Sequence, residues 1–370
     1  MRLVRGPLVR RRRRHGLREA LDRGARLTGS GTPPTTGVVI VNWERADLTV
    51  RAARAVLDDG TADRVVVVDN GSTDDSLAVL RDALPEATVV ALPRNGGFAV
   101  GANAGVRRAD TDVVVLLNND AVPAPGFVAA LRDHLAAAPP DVAAVTGRIV
   151  LAGRWTSLPT GAAPTPGARV LRDHAGRAWT PSADGEERLN STGVVIDRDG
   201  NGADRDWLAP VERVASVDVF GASGGAAAFR RTALDDVGLL DESLFMYYED
   251  TELAWRLRRR GWRVQYAAGA VVRHDHSASS GVASALFVRR NARNRLVVAL
   301  WHAPWGTVVR ATVRTVGRIV RCGLAGDGRE ARLVAAALAD VLGHLPRHLV
   351  RRRHETRRAS VPRRAVDPST

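Results

Sequence analysis

The sequence contains no lysine and a single cysteine, Cys322, in its 370 residues. One cysteine excludes a framework of internal disulfides and fits a protein from a reducing compartment. Because all 54 lysine or arginine positions are arginine, we attribute the missing lysine mainly to GC-rich coding DNA rather than to selection for arginine contacts. Aromatic residues make up only 5% of the chain, so a local concentration of them requires an explanation.

The sequence also lacks a long hydrophobic run. No stretch reaches the roughly 18 apolar residues that a membrane-spanning helix needs. The arginine run at 10–14 is followed by the Gly/Ser/Thr/Pro-rich segment 29–36 rather than by an apolar segment, so we expect no cleaved signal peptide. Hydrophobic residues at 45% and charged residues at 25% are ordinary for a folded chain. We therefore expect a cytoplasmic protein, peripheral on the inner face of the cell membrane.

The net charge of +14 is unevenly distributed. Residues 1–36 hold 10 arginines against 2 acidic residues, and residues 282–370 hold 18 against 5. The intervening residues 37–281 hold 26 arginines against 33 acidic residues and are net negative. An acidic body with two basic flanks argues against a nucleic-acid groove and favours flanks that meet an anionic membrane surface. We predict a basic flexible arm over 1–36, a folded domain over 37–281 and a basic helical extension over 282–370.

Short apolar runs alternate with segments of helical periodicity in the first part of the folded domain. The runs predict four strands, Val38–Val41, Val65–Val68, Val89–Leu92 and Val113–Leu117. The segments between them predict helices over Leu48–Leu57, Asp74–Ala83 and Gly101–Arg108, the second capped by Ser72 or Thr73. Buried β-branched strands alternating with helices are typical of a doubly wound, parallel α/β sheet.

The rest of the domain has a less regular pattern. Residues 151–210 are rich in Gly, Pro, Asp and Thr and predict irregular loops, with a hairpin around Gly193–Asp197. Order returns after Val217, where the spacing predicts two helices and a strand, Arg231–Val237, Thr251–Arg260 and Val264–Val272.

Polar or glycine-bearing groups follow all four predicted strands. They are Asn42-Trp43, Asp69-Asn70-Gly71-Ser72, Arg94-Asn95-Gly96-Gly97-Phe98 and Asn118-Asn119-Asp120. In open α/β sheets, ligands bind outside the carboxyl ends of the strands. Each group taken alone is also explained by a turn or a helix cap, but four such ends at one sheet edge favour a binding site.

This set of groups suits a nucleotide. Asp69 can accept a hydrogen bond from a base N–H, and Trp43 can stack on the base. Gly96 and Gly97 would let the backbone approach a diphosphate, and Asn103 would offer its amide at the start of the third helix. No G-x-G-x-x-G motif follows the first strand and the sequence has no P-loop, so a dinucleotide site is excluded.

A diphosphate that no lysine neutralises needs a divalent cation. One carboxylate, Asp120, together with phosphate oxygens is a common way to hold Mg²⁺ or Mn²⁺. His274 and His276, after the last predicted strand, are candidates for a further ligand. The alternative for Asn118-Asn119-Asp120 is an Asx-rich turn before Pro123, and histidines are also common as structural polar residues.

The scarce aromatic residues concentrate in 237–276, where two adjacent carboxylates, Glu249 and Asp250, follow a tyrosine pair at the start of a predicted helix. The position of this pair indicates a candidate functional site. The alternatives are a helix cap and core packing. For Trp262 and Tyr266, core packing is the better interpretation.

The order of these blocks resembles the inverting family 2 glycosyltransferases, in particular the rhamnosyltransferase-like enzymes of bacterial cell-wall and surface polysaccharide synthesis. The resemblance covers about 37–281 and runs through V-V-I-V-N-W, V-V-V-D-N-G-S-T-D, N-G-G-F-A-V-G-A-N-A-G, L-L-N-N-D, F-G-A-S-G-G-A-A-A-F-R-R, E-D-T-E-L-A-W-R and V-V-R-H-D-H. It implies a glycosyltransferase-A-type (Rossmann-like), mostly parallel twisted sheet with flanking helices.

The resemblance also implies roles for individual residues. Asp250 matches the general base, and Asp120 the metal-side carboxylate of the family's D-x-D position, with Asn118 where the first Asp is expected. His274 matches the histidine that can reach the metal. The remaining implied contacts divide into a nucleotide group (Asn42, Trp43, Asp69, Asn70, Gly96, Gly97, Asn103, Asn118, Asn119) and an acceptor or sugar group (Gly221, Ala222, Ser223, Tyr248, Glu249).

We therefore predict an inverting glycosyltransferase that uses Mg²⁺ or Mn²⁺. The resemblance implies a dTDP- or UDP-sugar donor, such as a rhamnose donor, and a saccharide or polyprenyl-linked acceptor. A metal-dependent nucleotidyltransferase is the alternative, although a basic phosphate loop after the first strand is missing. A basic nucleic-acid-binding protein is a weaker alternative, because the body is acidic.

The basic extension predicts amphipathic helices. Over 286–322, Arg310, Arg314, Arg318 and Arg321 recur every three or four residues beside an apolar stripe that includes Val309 and Val313. That pattern favours a helix lying on anionic lipid. The alternatives are an intramolecular lid and a dimer helix.

Overall fold

The β-branched runs form the centre of a mixed sheet. The computed structural model describes residues 33–159, 161–162, 168–275 and 284–366. Strands β1 to β4 are parallel neighbours in the order β3-β2-β1-β4. Their bounds are Thr36–Asn42 (β1), Arg64–Asp69 (β2), Thr88–Ala91 (β3) and Val113–Asn118 (β4). Most of the predicted basic arm, and His276, lie outside the described residues.

The sheet continues beyond β4 through strands from the second half of the chain. Strand β14 (Ala226–Arg230) is antiparallel to both β4 and β6 (Val142–Leu151). Strand β15 (Arg263–His274) runs parallel to β6 and carries β13 (Asp218–Val219) at the edge. Short strands β5 (Ala121–Pro123) and β10 (Leu189–Ser191) pair with β15 and β6. The predicted mostly parallel α/β sheet is confirmed, with β14 as an antiparallel insertion.

Helices flank the sheet on both faces. Their bounds are Ala46–Asp59 (α1), Ser76–Ala83 (α2), Phe98–Ala109 (α3), Phe127–Ala137 (α4), Arg231–Val237 (α5) and Glu249–Arg260 (α6). Helix α2 is preceded by Asp75, which makes no side-chain cap, so the predicted caps Ser72 and Thr73 are wrong. Helix α3 begins three residues earlier than predicted. Its Gly105 lies directly against Val39 of β1, where a Cβ atom would overlap the valine side chain, and this sets how closely α3 packs on the sheet.

The segment 151–210 contains more regular structure than its composition predicts. Strands β7 (Trp155–Ser157), β8 (Leu171–Arg172) and β9 (Ala178–Pro181) form a small antiparallel sheet. The predicted hairpin is present as β11 (Val194–Ile196) and β12 (Gly202–Asp204). Sequence periodicity missed the small sheet because strands of two to four residues are too short to show alternation.

The predicted C-terminal helices are present and pack on the body. They are Ala285–His302 (α7), Trp305–Leu324 (α8), Gly328–Gly343 (α9), Leu345–Arg358 (α10) and Arg363–Val366 (α11). Helix α7 is buried along much of its length and shares an apolar cluster with Trp255 of α6. In the described part of the chain no single helix is long and apolar enough to cross a bilayer. Helices α9 and α10, bent by 66°, meet such a criterion only as a pair.

Candidate active site

The carboxyl ends of β1 and β2 meet in a buried hydrogen-bond network around Asp69. The Asn42 amide donates to Asp69 Oδ1 at 3.0 Å, and the Ser72 hydroxyl donates to the same oxygen at 2.5 Å. The Ser72 amide donates to Oδ2 at 3.2 Å. Asn42 also accepts from Thr49 at 2.7 Å. Asp69 is therefore rigidly held with part of its acceptor capacity in use, whereas Trp43 beside it is 41% exposed and free to stack.

The glycine loop after β3 is held by two asparagines. The Asn70 side chain donates to Asn95 Oδ1 and to the Gly97 carbonyl, both at 3.1 Å, and accepts from the Gly96 amide at 3.2 Å. The Gly97 amide donates to Asn95 at 2.8 Å. Both glycine amides thus already have partners, and the approach of the backbone at Gly96 and Gly97 to a diphosphate stays a prediction. Gly97 has φ +86° and lies against the Phe245 carbonyl, a close approach that only glycine permits.

Asn103 does not lie at the start of α3, and the position predicted for it is wrong. It is one turn inside the helix and 2% exposed. Its amide donates to the Leu240 carbonyl and to Glu242, both at 2.9 Å, and its oxygen accepts from the Leu240 amide. Asn103 therefore fixes the loop before Asp241 rather than presenting its side chain to the sheet edge.

Asp120 and His274 meet at the end of β4. The Asp120 Oδ1 and His274 Nε2 atoms are 2.9 Å apart, and His274 Nδ1 lies 2.8 Å from Asn190 Oδ1. With its Nδ1–H donating to the Asn190 oxygen, a neutral His274 would present its Nε2 lone pair on the side of Asp120, as a ligand to a cation held there needs. Asn190 was not predicted as a site residue, because it lies in the weakly periodic segment 151–210.

This pair of side chains fits part of a divalent-cation site. Neighbouring ligands on an octahedral ion with bonds of about 2.1 Å lie about 3.0 Å apart, close to the separation of Asp120 and His274. No cluster of three or more His, Cys, Asp or Glu side chains suited to a metal occurs within the described residues. Further ligands would therefore have to come from a bound anion, such as a diphosphate, or from water.

A glycine pair connects the end of β4 to the Asp250 carboxylate. The Gly224 amide donates to Asp250 Oδ2 at 3.3 Å, and the Gly225 carbonyl accepts from the Asn118 amide at 3.0 Å. A Cβ atom on Gly225 would lie 3.1 Å from the Asn118 side chain. The structure therefore brings Asp250 and the strand that carries Asp120 to the two sides of one Gly-Gly turn.

Glu249 and Asp250 are an interacting carboxyl pair at the start of α6. Burial raises the pKa of Asp250, while hydrogen bonds from Gly224 and Thr251 oppose the rise. Burial and the charge of Asp250 raise the pKa of Glu249 to about 8. Glu249 Oε2 is buried and has no partner among the described residues. Near neutral pH, Glu249 is therefore mainly protonated, beside a partly exposed Asp250 whose ionised form is stabilised by hydrogen bonds from Gly224 and Thr251.

The backbone just before this pair is held in an uncommon conformation. Phe245, Tyr247 and Tyr248 have φ of +67°, +68° and +71°, in the left-handed region that disfavours bulky side chains. Such conformations persist only where surrounding contacts enforce them, and they concentrate at functional sites. The strained segment places the first turn of α6 at the Gly224–Gly225 turn.

Several residues of the predicted acceptor group are packed instead of open. The Gly221 amide and carbonyl both bond to Val194, and its Cα lies against Ala254. Ala222 is buried in the apolar core. Tyr248 is 9% exposed, with its hydroxyl 3.5 Å from the Gly202 carbonyl, and burial raises its pKa to about 12. These three predictions need correction, because Gly224 and Gly225, not Gly221, make the contacts that join β4 to Asp250.

The remaining predicted residues are distributed between pocket and core. The Ser223 amide donates to Thr146 at 3.2 Å, one residue before the Gly-Gly turn. Asn119 is buried and donates to Thr49 at 3.3 Å, which ties the end of β4 to the network around Asn42. As expected, Trp262 and Tyr266 are core residues, 1% and 4% exposed.

Comparison with known proteins agrees with this geometry. Residues 37–197 match the family described as glycosyl transferase family 2. The chain is 31% identical over 218 residues to the pre-mycofactocin glycosyltransferase of Mycobacterium tuberculosis, covering 58% of this chain but only 37% of that relative. It is 29% identical over 236 residues to the N-acetylglucosaminyl-diphospho-decaprenol L-rhamnosyltransferase of the same organism, covering 59% of this chain and 68% of the relative.

A solved structure shows the same fold at low sequence identity. The crystal structure of GalNAc-T7 with UDP, GalNAc and Mn²⁺ aligns with a TM-score of 0.52 and 17% identity, covering 74% of this chain and 49% of that one. The predicted glycosyltransferase-A-type arrangement of the sheet is thereby confirmed.

Proposed function

We propose that the chain, whose residues 37–197 match glycosyl transferase family 2, transfers a sugar, with inversion, from a nucleoside diphosphate sugar to a saccharide acceptor. The observation that carries the proposal is the Gly224–Gly225 turn, which bonds to Asp250 on one side and to Asn118, two residues before Asp120, on the other. The relative named as a rhamnosyltransferase supports a rhamnose donor such as dTDP-rhamnose, and its name supports a polyprenyl-linked acceptor.

The two sides of the site, one with Asp250 and the other with Asp120 and His274, have different roles in the proposed reaction. On one side, Asp250 accepts the proton of an acceptor hydroxyl, whose oxygen attacks the anomeric carbon of the donor. The bond from that carbon to the diphosphate oxygen breaks, and the nucleoside diphosphate leaves with the electron pair. Attack from the face opposite the leaving group inverts the anomeric centre. The Gly224 amide and Thr251 hold Asp250 in place, so little reorganisation is needed.

On the other side, Asp120 and His274 would hold a divalent cation, Mg²⁺ or Mn²⁺, which when bound would neutralise charge on the diphosphate. Asn190 fixes the His274 ring for this purpose. Trp43 would stack on the base, and Asp69, held by Asn42 and Ser72, would accept from it.

The C-terminal helices favour attachment to a membrane. One face of α8 exposes six apolar side chains at helical spacing, each at least 45% exposed: Trp305, Val309, Val313, Val316, Val320 and Leu324. The predicted basic stripe is largely used within the molecule, because Arg314 pairs with Asp199 and Arg318 with Glu330. We propose that this apolar face lies in the surface of an anionic bilayer, on the cytoplasmic side, with the surplus arginines of the extension beside it. A lipid-linked acceptor would then be delivered in the same plane.

The central experiment is replacement of the base. Asp250→Asn removes the proton acceptor, so we expect turnover to fall about 10²- to 10⁴-fold while donor binding is retained. Release of nucleoside diphosphate from dTDP-rhamnose and from UDP-sugars, with Mn²⁺ or Mg²⁺ added, measures turnover, and calorimetry measures donor binding. Asp235→Asn, at an exposed position on α5, is the matched control.

The outcome also separates the alternatives. Near wild-type turnover by Asp250→Asn would contradict the mechanism. Release of pyrophosphate rather than nucleoside diphosphate would support nucleotidyl transfer. Turnover that survives chelation of divalent cations would contradict the role given to Asp120 and His274.

The carboxyl pair predicts a bell-shaped pH profile. Below its raised pKa, Asp250 is protonated and cannot accept a proton, so the rate falls on the acid side. Above about 8, Glu249 ionises and places a second negative charge beside Asp250, so we expect a fall on the alkaline side. In Glu249→Gln the side chain at position 249 is neutral at every pH. The alkaline limb near pH 8 should therefore disappear while the acid limb stays. An unchanged alkaline limb would show that another group causes it.

Membrane attachment is tested with vesicles. In Val309→Asp/Val313→Asp the apolar face of α8 carries two charges, and we expect binding to phosphatidylglycerol-containing vesicles to weaken by about tenfold or more. Co-sedimentation measures binding, with pure phosphatidylcholine vesicles for comparison. Val214→Asp, at a 95% exposed position away from α8, is the control. Equal binding by all three proteins would exclude α8 as the contact.

A further inference from the structure

The β11–β12 hairpin runs from the C-terminal helices to the active site. At its turn, Gly200 lies against Thr307 of α8, and Arg310 donates to the Arg198 carbonyl. Further along β12, a Cβ atom on Gly202 would lie 2.7 Å from Thr251 Oγ1, so this strand touches the first turn of α6. The contacts at Gly200 and Gly202 hold the hairpin against α8 and α6, and they therefore fix the direction in which β12 runs.

Asp204 is two residues beyond Gly202 and lies on the same face of β12, because side chains alternate along a strand. Across the hairpin it pairs with Val194, whose backbone bonds to Gly221, three residues before the Gly224 amide that donates to Asp250. Burial and Asp250 raise its pKa to about 6, whereas the Ser191 hydroxyl and His274 lower it. Asp204 is therefore mainly ionised at pH 7.

No described arginine forms a salt bridge with Asp204. The neighbouring Arg205 turns its guanidinium to Thr192, Ser216 and the Asp218 carbonyl instead. A half-buried carboxylate without a guanidinium partner keeps capacity to accept hydrogen bonds from a ligand. Sugar hydroxyls are such donors, and neighbouring hydroxyls of one ring can reach two carboxylates at once.

On the basis of the function proposed above, we propose that Asp204 binds the acceptor sugar. Its carboxylate accepts a hydrogen bond from a hydroxyl next to the one that gives its proton to Asp250. The two carboxylates, one on a helix and one on the hairpin, would then fix which hydroxyl of the acceptor reacts.

The test compares transfer with hydrolysis. For Asp204→Asn we expect the KM for N-acetylglucosaminyl-diphospho-polyprenol to rise about tenfold or more, while donor affinity and slow hydrolysis of donor by water are unchanged. Asp204→Glu should recover part of the loss, because it keeps the charge. Asp184→Asn, at an exposed turn, is the control.

Several results would overturn the inference. An unchanged acceptor KM would do so, and so would equal losses of transfer and hydrolysis, which would place Asp204 on the donor or cation side. If the wild type releases no nucleoside diphosphate from any donor, the proposed function fails and takes this inference with it. If the wild type is active and Asp204→Asn has the same acceptor KM, the inference about Asp204 fails and the proposed function stands.

A second inference rests on α7. The Asn294 side chain is fully buried, and its amide donates to the carbonyls of Leu244, Met246 and Tyr247 at 2.9, 3.0 and 2.9 Å. These carbonyls belong to the segment whose φ angles are positive, directly before Glu249 and Asp250. One side chain from the C-terminal extension thus holds the backbone that the local sequence disfavours.

We infer that Asn294 is a positioning residue for Asp250. In Asn294→Ala the segment can relax, so we expect kcat per folded molecule to fall about tenfold or more with donor affinity unchanged. Circular dichroism gives the folded fraction at the assay temperature, and Asn291→Ala, one turn earlier on α7, is the control. A purely structural role predicts a smaller folded fraction with normal kcat per folded molecule, and that result would overturn the inference.

Discussion

A buried carboxyl group, Glu249, adjoins a partly exposed one, Asp250, at the start of one helix, and contacts around the pair stabilise this arrangement. The helix N-terminus favours negative charge, and Asp250 accepts hydrogen bonds from Gly224 and Thr251. Glu249 has no comparable donors and avoids ionisation by keeping its proton. The result is one carboxylate and one carboxylic acid side by side, so a single dipeptide offers both an acceptor and a donor of hydrogen bonds.

On the side of the site that includes Asp69 and His274, a different kind of interaction holds the side chains in place. There, rigidity comes from neutral amides: Asn42, Asn70 and Asn190 each fix a neighbouring ligand group or loop instead of facing the pocket themselves. Amides can do this because each has both donors and acceptors and carries no charge to be desolvated. This explains why so many asparagines follow the strands while few of them are oriented toward a ligand.

Most of the sheet could be predicted from the sequence, because the runs around Val38, Val65 and Val113 are continuous and β-branched. The positions of Asp120, His274 and Asp250 followed from strand ends and from family resemblance. The predictions failed where tertiary contacts determine the position of a residue. Asn103 was misplaced because the start of α3 depends on the Gly97–Phe245 contact, and Gly221 because its partner Val194 lies in a segment without periodicity. Asp204 and Asn294 were missed for the same reason, since only the folded chain brings them to Asp250.

The neighbouring residues Asn294 and Arg295 enter the body at two different places: Asn294 at the segment before α6, and Arg295 at Asn201 in the hairpin turn, where its guanidinium donates at 2.6 Å. The C-terminal extension is thus joined to the rest of the protein by two specific side-chain contacts. During evolution, exchange of the extension for another C-terminal region would have required the replacement to rebuild both contacts. Homologues that differ in their C-terminal regions should therefore also differ in the loop before the α6 equivalent.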